Sequence, residues 1–221
     1  MTIVLAPLAS REEYLVRVGR LPTDTTDDDI LADLLPGASR VVEKRLGFGP
    51  GMLAPQTGLT LIFDAYGGSE LVLRDESQLL YPLRAIDGNG LCIDEDGDGA
   101  YDDYALDLND AWVQGLPVNA LTLGEAYTAI RLRSGVSGAT ITAFPHRASC
   151  VRITGNWGPS VTRGIFKERV IGIVRELLDA HRDGAATQSY DIEEAIERTP
   201  KARALLTMLT NEYSRKLPVI A

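Results

Sequence analysis

The sequence predicts an α+β fold: a small helical bundle with an inserted antiparallel β region and a C-terminal helical arm. Three observations point to it. Apolar residues of helical spacing run from Ile30 to Leu46. From Leu59 to Thr154 the texture changes to short apolar runs broken by Gly and Pro, the mark of strands and turns. Helical period then returns at Ile165 and continues, with one polar interruption, toward the end of the chain. The chain divides accordingly into an N-terminal helical segment (1–50), a β-rich insertion (51–155), core helices (156–199) and a C-terminal arm (200–221).

Residues 24–29 read as a helix start. Thr26 or Asp27 can cap free backbone N–H groups, and the neighbouring carboxylates suit the positive end of the helix dipole. Ile30, Leu31, Leu34, Leu35, Ala38, Val41, Val42 and Leu46 follow at spacings that share one helix face. Pro36-Gly37 interrupts the run, which predicts a kink or a break into two short helices. Gly47 ends it.

In the β region, Leu59–Asp64 and Glu70–Arg74 flank Tyr66-Gly67-Gly68-Ser69, a hairpin signal. Further strands are expected at 85–87, 91–94, 101–108, 127–132 and 149–154, six or seven in all. After Trp157-Gly158-Pro159, the stripe Ile165, Phe166, Val170, Ile173, Val174, Leu177 and Leu178 predicts a long amphipathic helix ending at Asp183-Gly184. Two more helices follow, Asp191–Arg198 and Lys201–Leu217, with Pro200 suited to the first turn of the second. Pro218 stops the last one and leaves Val219-Ile220-Ala221 extended.

With 221 residues the chain can bury a core. No apolar run approaches the length of a bilayer span, and Met1–Ala6 lacks the basic flank of a signal peptide. Cys92 and Cys150 read as reduced, small core residues of a cytoplasmic protein. The net charge is −9, and nine acidic residues with no Lys or Arg lie between Asp87 and Asp110. An acidic body repels phosphate, which argues against tight nucleic-acid binding. The end of the chain is basic, with Lys201, Arg203, Arg215 and Lys216 against Glu212, and suits docking onto an acidic partner.

The sharpest local motif is Asp94–Asp103. Aspartates at alternate positions followed by Gly resemble the first half of a calcium loop. Asp94, Asp96 and Asp98 would take the first three ligand positions and Asp102 the ninth, but Ala105 stands where a bidentate Glu belongs. The competing reading is a β-hairpin tip that uses Asp-Gly-Asp-Gly for turn geometry. His146 and His181, the two histidines, have no Cys or His partner at zinc spacing. Ser149 and Cys150 carry no nucleophile motif, so no catalytic residue is expected. Gly47–Gly51 lacks the Lys-Ser/Thr of a phosphate loop. Trp157, between a strand end and a helix start, reads as a core anchor.

Three segments together resemble the head–tail connector (adaptor) proteins of tailed bacteriophages. These are Asp27–Gly47, an acidic helix start closing on Leu46-Gly47; Val151–Gly158, a strand running into Gly155-Asn156-Trp157-Gly158; and a final helix carrying Leu205, Leu206, Leu209, Tyr213 and Arg215. Pro36-Gly37 and the Asp94–Asp103 loop depart from the family pattern. The resemblance implies a structural protein, not an enzyme. It would form a homo-oligomeric ring, a dodecamer, beneath the portal protein, with a tail-side stopper or tail-terminator protein below it. The ring would extend the DNA channel, letting DNA pass without specific binding, and would sit in the virion neck after assembly in the host cytoplasm, away from any membrane. Tyr213, Arg215, Lys216, Leu217, Pro218, Val219 and Ile220 would form the portal-docking arm. No cofactor is implied. The rival reading is a calcium-binding adhesion or interaction module working through Asp94, Asp96 and Asp98.

Overall fold

The computed structural model describes residues 5, 7–75, 77–121, 125–159, 162–183 and 191–214. Among them are five helices and two antiparallel sheets, an α+β fold. The chain forms two compact units. One joins 1–54 with 162–221, and the other is the continuous segment 55–161.

The helical unit begins with α1 (Arg11–Arg17), an element the apolar periodicity does not announce. Its start is fixed by a capping box. The Ser10 hydroxyl accepts from the Glu13 N–H at 3.1 Å, and the Glu13 carboxylate accepts from the Ser10 N–H at 2.9 Å. Helix α2 runs unbroken from Asp28 to Arg45, so of the kink or break expected at Pro36-Gly37 the break into two helices does not occur. A proline inside a helix costs about 3 kcal/mol. The cost is offset because Leu31, Leu35, Ala38, Val41 and Val42 are all buried along the same face, the leucines and valines each contributing about 1.5–3 kcal/mol. Ser39, also buried, donates to the Leu35 carbonyl at 2.6 Å and accepts from the Leu8 N–H at 3.0 Å, tying the preceding chain to the helix.

The expected capping role of Asp27 is also corrected, since its side chain caps nothing. Its buried carboxylate instead meets two guanidinium groups, those of Arg20 and, at 2.6 Å, Arg182. Helix α3 (Gly164–Arg182) supplies Phe166, Val170, Ile173, Val174 and Leu177 to the core. Helix α4 (Ile192–Arg198) is capped by Asp191, whose carboxylate accepts from the Glu193 N–H at 2.9 Å. Helix α5 (Pro200–Ser214) buries Ala202, Leu206 and Leu209 against the same core. The segment set apart as an arm at 200–221 is therefore, through Ser214, a helix of the bundle. Its apolar spacing has to be buried, and this core buries it.

One carboxylate lies inside this unit. Glu43 is fully buried and accepts from the backbone N–H groups of Gly51 (2.8 Å) and Leu53 (3.1 Å), with Arg40 beside it. It holds the chain after α2 in place. Burial pushes the Glu43 carboxyl above its ordinary value, against the pull of Arg40 and the two N–H groups.

The β unit holds seven strands: β1 (Gln56–Tyr66), β2 (Glu70–Val72), β3 (Leu83–Ile93), β4 (Tyr104–Leu106), β5 (Val113–Leu116), β6 (Ala129–Leu132) and β7 (His146–Trp157). They form one sheet in the order β1-β7-β3-β4 and a second in the order β2-β6-β5. The predicted hairpin around Gly67-Gly68 does not form. β1 pairs with β7 and β2 with β6, so the two glycines mark a switch between sheets. There Gly67 and Gly68 adopt φ near +80° and bond to the 144–145 backbone, a conformation open to glycine at no steric cost.

Register in the four-stranded sheet follows the alternation of burial. Leu61, Ile153, Leu91 and Leu106 are mutual partners across it, as are Ile62, Arg152, Cys92 and Ala105 one residue along. Leu91, Leu106 and Ile153 are buried, and Ile62 is exposed. Cys92 and Cys150 are both free thiols.

The Gly155–Gly158 motif has a physical account. A Cβ on Gly155 would lie 2.1 Å from the Ala85 carbonyl oxygen, so β3 can cross β7 closely only over glycine. Trp157 is fully buried as the anchor of this corner, and its Nε1–H donates to the Leu59 carbonyl at 2.8 Å. Gly158 then turns the chain at φ +76°.

Candidate functional site

The acidic tip of the β3–β4 hairpin is the first candidate. Ile93 pairs with Tyr104, so 94–103 is a hairpin tip between strands, without the flanking helices of a calcium loop. Its aspartates serve the turn. Asp94, which is buried, accepts from the N–H groups of Gly97 (2.5 Å) and Gly99 (3.0 Å). Asp103 accepts from Glu95 (2.6 Å) and Asp96 (3.1 Å). Asp96 and Asp98 each accept from the N–H two residues on. This local bonding is what aspartate contributes to turns.

Side chains from β7 back the tip. Arg147 Nη1 stands 3.7 Å from the Asp94 carboxylate, over Gly97, whose missing Cβ leaves room for the guanidinium. The Arg152 guanidinium lies 4.9 Å from the centre of the Tyr101 ring. The Tyr101 hydroxyl donates to the Ser149 carbonyl at 2.5 Å, and burial, then Asp94, push its ionisation up.

The structure brings Asp94, Asp96 and Asp103 together, with one oxygen of each within 4.8 Å of the others. Of the four expected ligands the structure thus brings Asp94 and Asp96 together and adds Asp103, while Asp98 and Asp102 lie outside this group. Asp103 joins the group because its carboxylate turns back over the tip to reach the Glu95 and Asp96 N–H groups. Three carboxylates could hold a hard divalent cation, but calcium takes six to eight oxygens.

The arm residues divide. Tyr213 packs edgewise on Phe48 (6.1 Å between ring centres) and against Phe166 (5.6 Å), at the margin of the helical core. Arg215, Lys216, Leu217, Pro218, Val219 and Ile220 lie outside the described residues. His146 sits at the start of β7 against Tyr66, and His181 in the last turn of α3.

A second concave feature escaped the sequence reading. A cleft of about 270 Å³ between α1 and α3 is lined by Tyr14, Arg17, Arg20, Arg175, Asp179 and Arg182. Its four arginines come from two distant parts of the chain, so no local pattern announces it. Among the described residues, no helix is long and apolar enough to cross a membrane. Compared with known proteins, the chain matches no family model, no curated protein and no solved structure.

Proposed function

We propose that the protein is a head–tail adaptor of a tailed bacteriophage, a structural ring protein that extends the DNA channel beneath a portal and carries the tail or stopper. The observation that carries this reading is the order of the units. A helical unit is built from both ends of the chain, with a β unit inserted, and strand β7 returns through Gly155–Gly158 into the region before α3. That is the arrangement the family resemblance implies. The dodecameric ring, the portal, the tail-side stopper or tail-terminator and the virion neck belong to this proposal.

The test is recruitment to purified portal rings, read by negative-stain imaging and co-sedimentation. Full-length protein is expected to cap the rings, and a chain ending at Ser214 to lose most of that binding while keeping its helical signal. A cut at Thr199 would be uninformative, because it strips Ala202, Leu206 and Leu209 from the core. Full-length protein that ignores portal rings would overturn the reading. A calcium-dependent interaction module is the second reading, supported by the Asp94, Asp96 and Asp103 grouping.

A further inference from the structure

The four arginines of the α1–α3 cleft are only partly engaged. Arg20 bonds Asp24 and Asp27 through its Nε and Nη1 atoms, and Arg182 bonds Asp27 through Nη2. A guanidinium has five N–H donors, so both keep donors to spare. Arg17 pairs with Glu168 at 2.8 Å, but both are well exposed, and such pairs hold weakly. Arg175 has no ion pair among the described residues. Tyr14 is only 2% exposed, lines the cleft, and its hydroxyl has no hydrogen-bond partner among the described residues. Asp179 is the one carboxylate in the lining. The cleft thus presents unused donors around a buried phenol, the composition of a carboxylate-binding site.

The chain holds a matching anion. By sequence, the segments 1–54 and 162–221 carry 16 basic and 17 acidic residues, whereas 55–161 carries 6 basic and 14 acidic. The acidity is concentrated at the hairpin tip, where Asp98 and Asp102 are exposed and lie outside the Asp94, Asp96 and Asp103 grouping. The Asp102 carboxylate accepts no hydrogen bond among the described residues.

We propose that the α1–α3 cleft is a carboxylate-binding site whose occupant is the acidic β3–β4 tip of a second copy of this chain. Two unlike surfaces joined head to tail generate a ring when the rotation closes, so the inference deepens the adaptor reading and rests on it. Arg175 and Tyr14 are the donors, and Asp98 and Asp102 the acceptors.

Sedimentation velocity of the full-length protein across a range of concentrations and salt tests it. Self-association is expected, weakening as salt rises. Arg175→Glu and Asp102→Arg are each expected to weaken it by about tenfold or more. The double charge swap, Arg175→Glu with Asp102→Arg, is expected to restore most of the loss, which also shows that the single variants fold. Wild-type protein that stays monomeric, single variants that associate normally, or a double variant that does not recover would overturn the proposal. Portal recruitment of the same variants separates the two readings. Unchanged recruitment with no effect of the swaps removes the cleft proposal alone. Rescue by the swap without any recruitment removes the adaptor reading.

Discussion

Ile192 occupies the space a side chain on Gly37 would need: its Cγ1 atom lies 2.5 Å from where that Cβ would stand, and its own Cβ 3.2 Å away. The glycine in the middle of α2 is therefore a seat for α4. Alanine favours a helix interior over glycine by about 1 kcal/mol, yet overpacking a tight contact costs about 1–3 kcal/mol. Gly37→Ala is expected to destabilise by about 1–2 kcal/mol, measured by urea unfolding. In an Ile192→Ala background the same change should become neutral or stabilising.

Gly155→Ala should be more severe. The obstructing atom is the backbone carbonyl of Ala85, which cannot rotate away as a side chain would. A loss of about 3 kcal/mol or more is expected. Trp157→Phe, which removes the donor to Leu59 and leaves a void, should cost about 2–4 kcal/mol. Thermal unfolding followed by near-ultraviolet circular dichroism would check both.

Glu43 makes stability depend on pH in an unusual direction. Its carboxyl titrates higher in the folded protein than the ordinary 4.5. The folded state then holds its proton longer, and the contribution is fullest below 4.5 and declines as pH rises through the elevated value. Glu43→Gln removes this titration and keeps the shape. The wild type is therefore expected to lose stability relative to Glu43→Gln as pH increases from 4.5, in paired denaturant titrations. A difference that is flat, or moves the other way, would mean the carboxylate stays charged.

At the hairpin tip a cation would have to compete with backbone donors. The oxygens of Asp94 and Asp103 already accept four N–H bonds. Calcium at about 1 mM, the weak end of biological sites, is expected to leave the melting temperature unchanged. A rise of several degrees, abolished by Asp94→Asn, would favour the interaction module over the adaptor.

The long helices were legible because burial of one face writes a 3.6-residue period into the sequence. Helix α1 was not, since its seven residues bury only Tyr14 and Leu15, too few for a period. Ser10 and Glu13 were the available sign. Strands could be read as strands, but their partners could not. Gly67-Gly68 between β1 and β2 has hairpin composition, while β1 finds β7 far along the chain. Pro36 misled because its local cost is visible in the sequence, whereas the packing that offsets it is not. The aspartate turn was visible at once. Which carboxylates converge was not, because Asp102 and Asp103 differ only in the direction each side chain takes. The arginine cleft exists only after α1 meets α3.

Because α2 and α3 are separated by the whole β unit, about a hundred residues are synthesised before the first two helices meet the surface that shelters them. During translation, Leu31, Leu35, Val41 and Val42 wait on the ribosome as a bare greasy strip, and chaperones should recognise the nascent chain at that stage. A fragment halted after Ala54 would lack every later helix of its core, and aggregation is its expected fate.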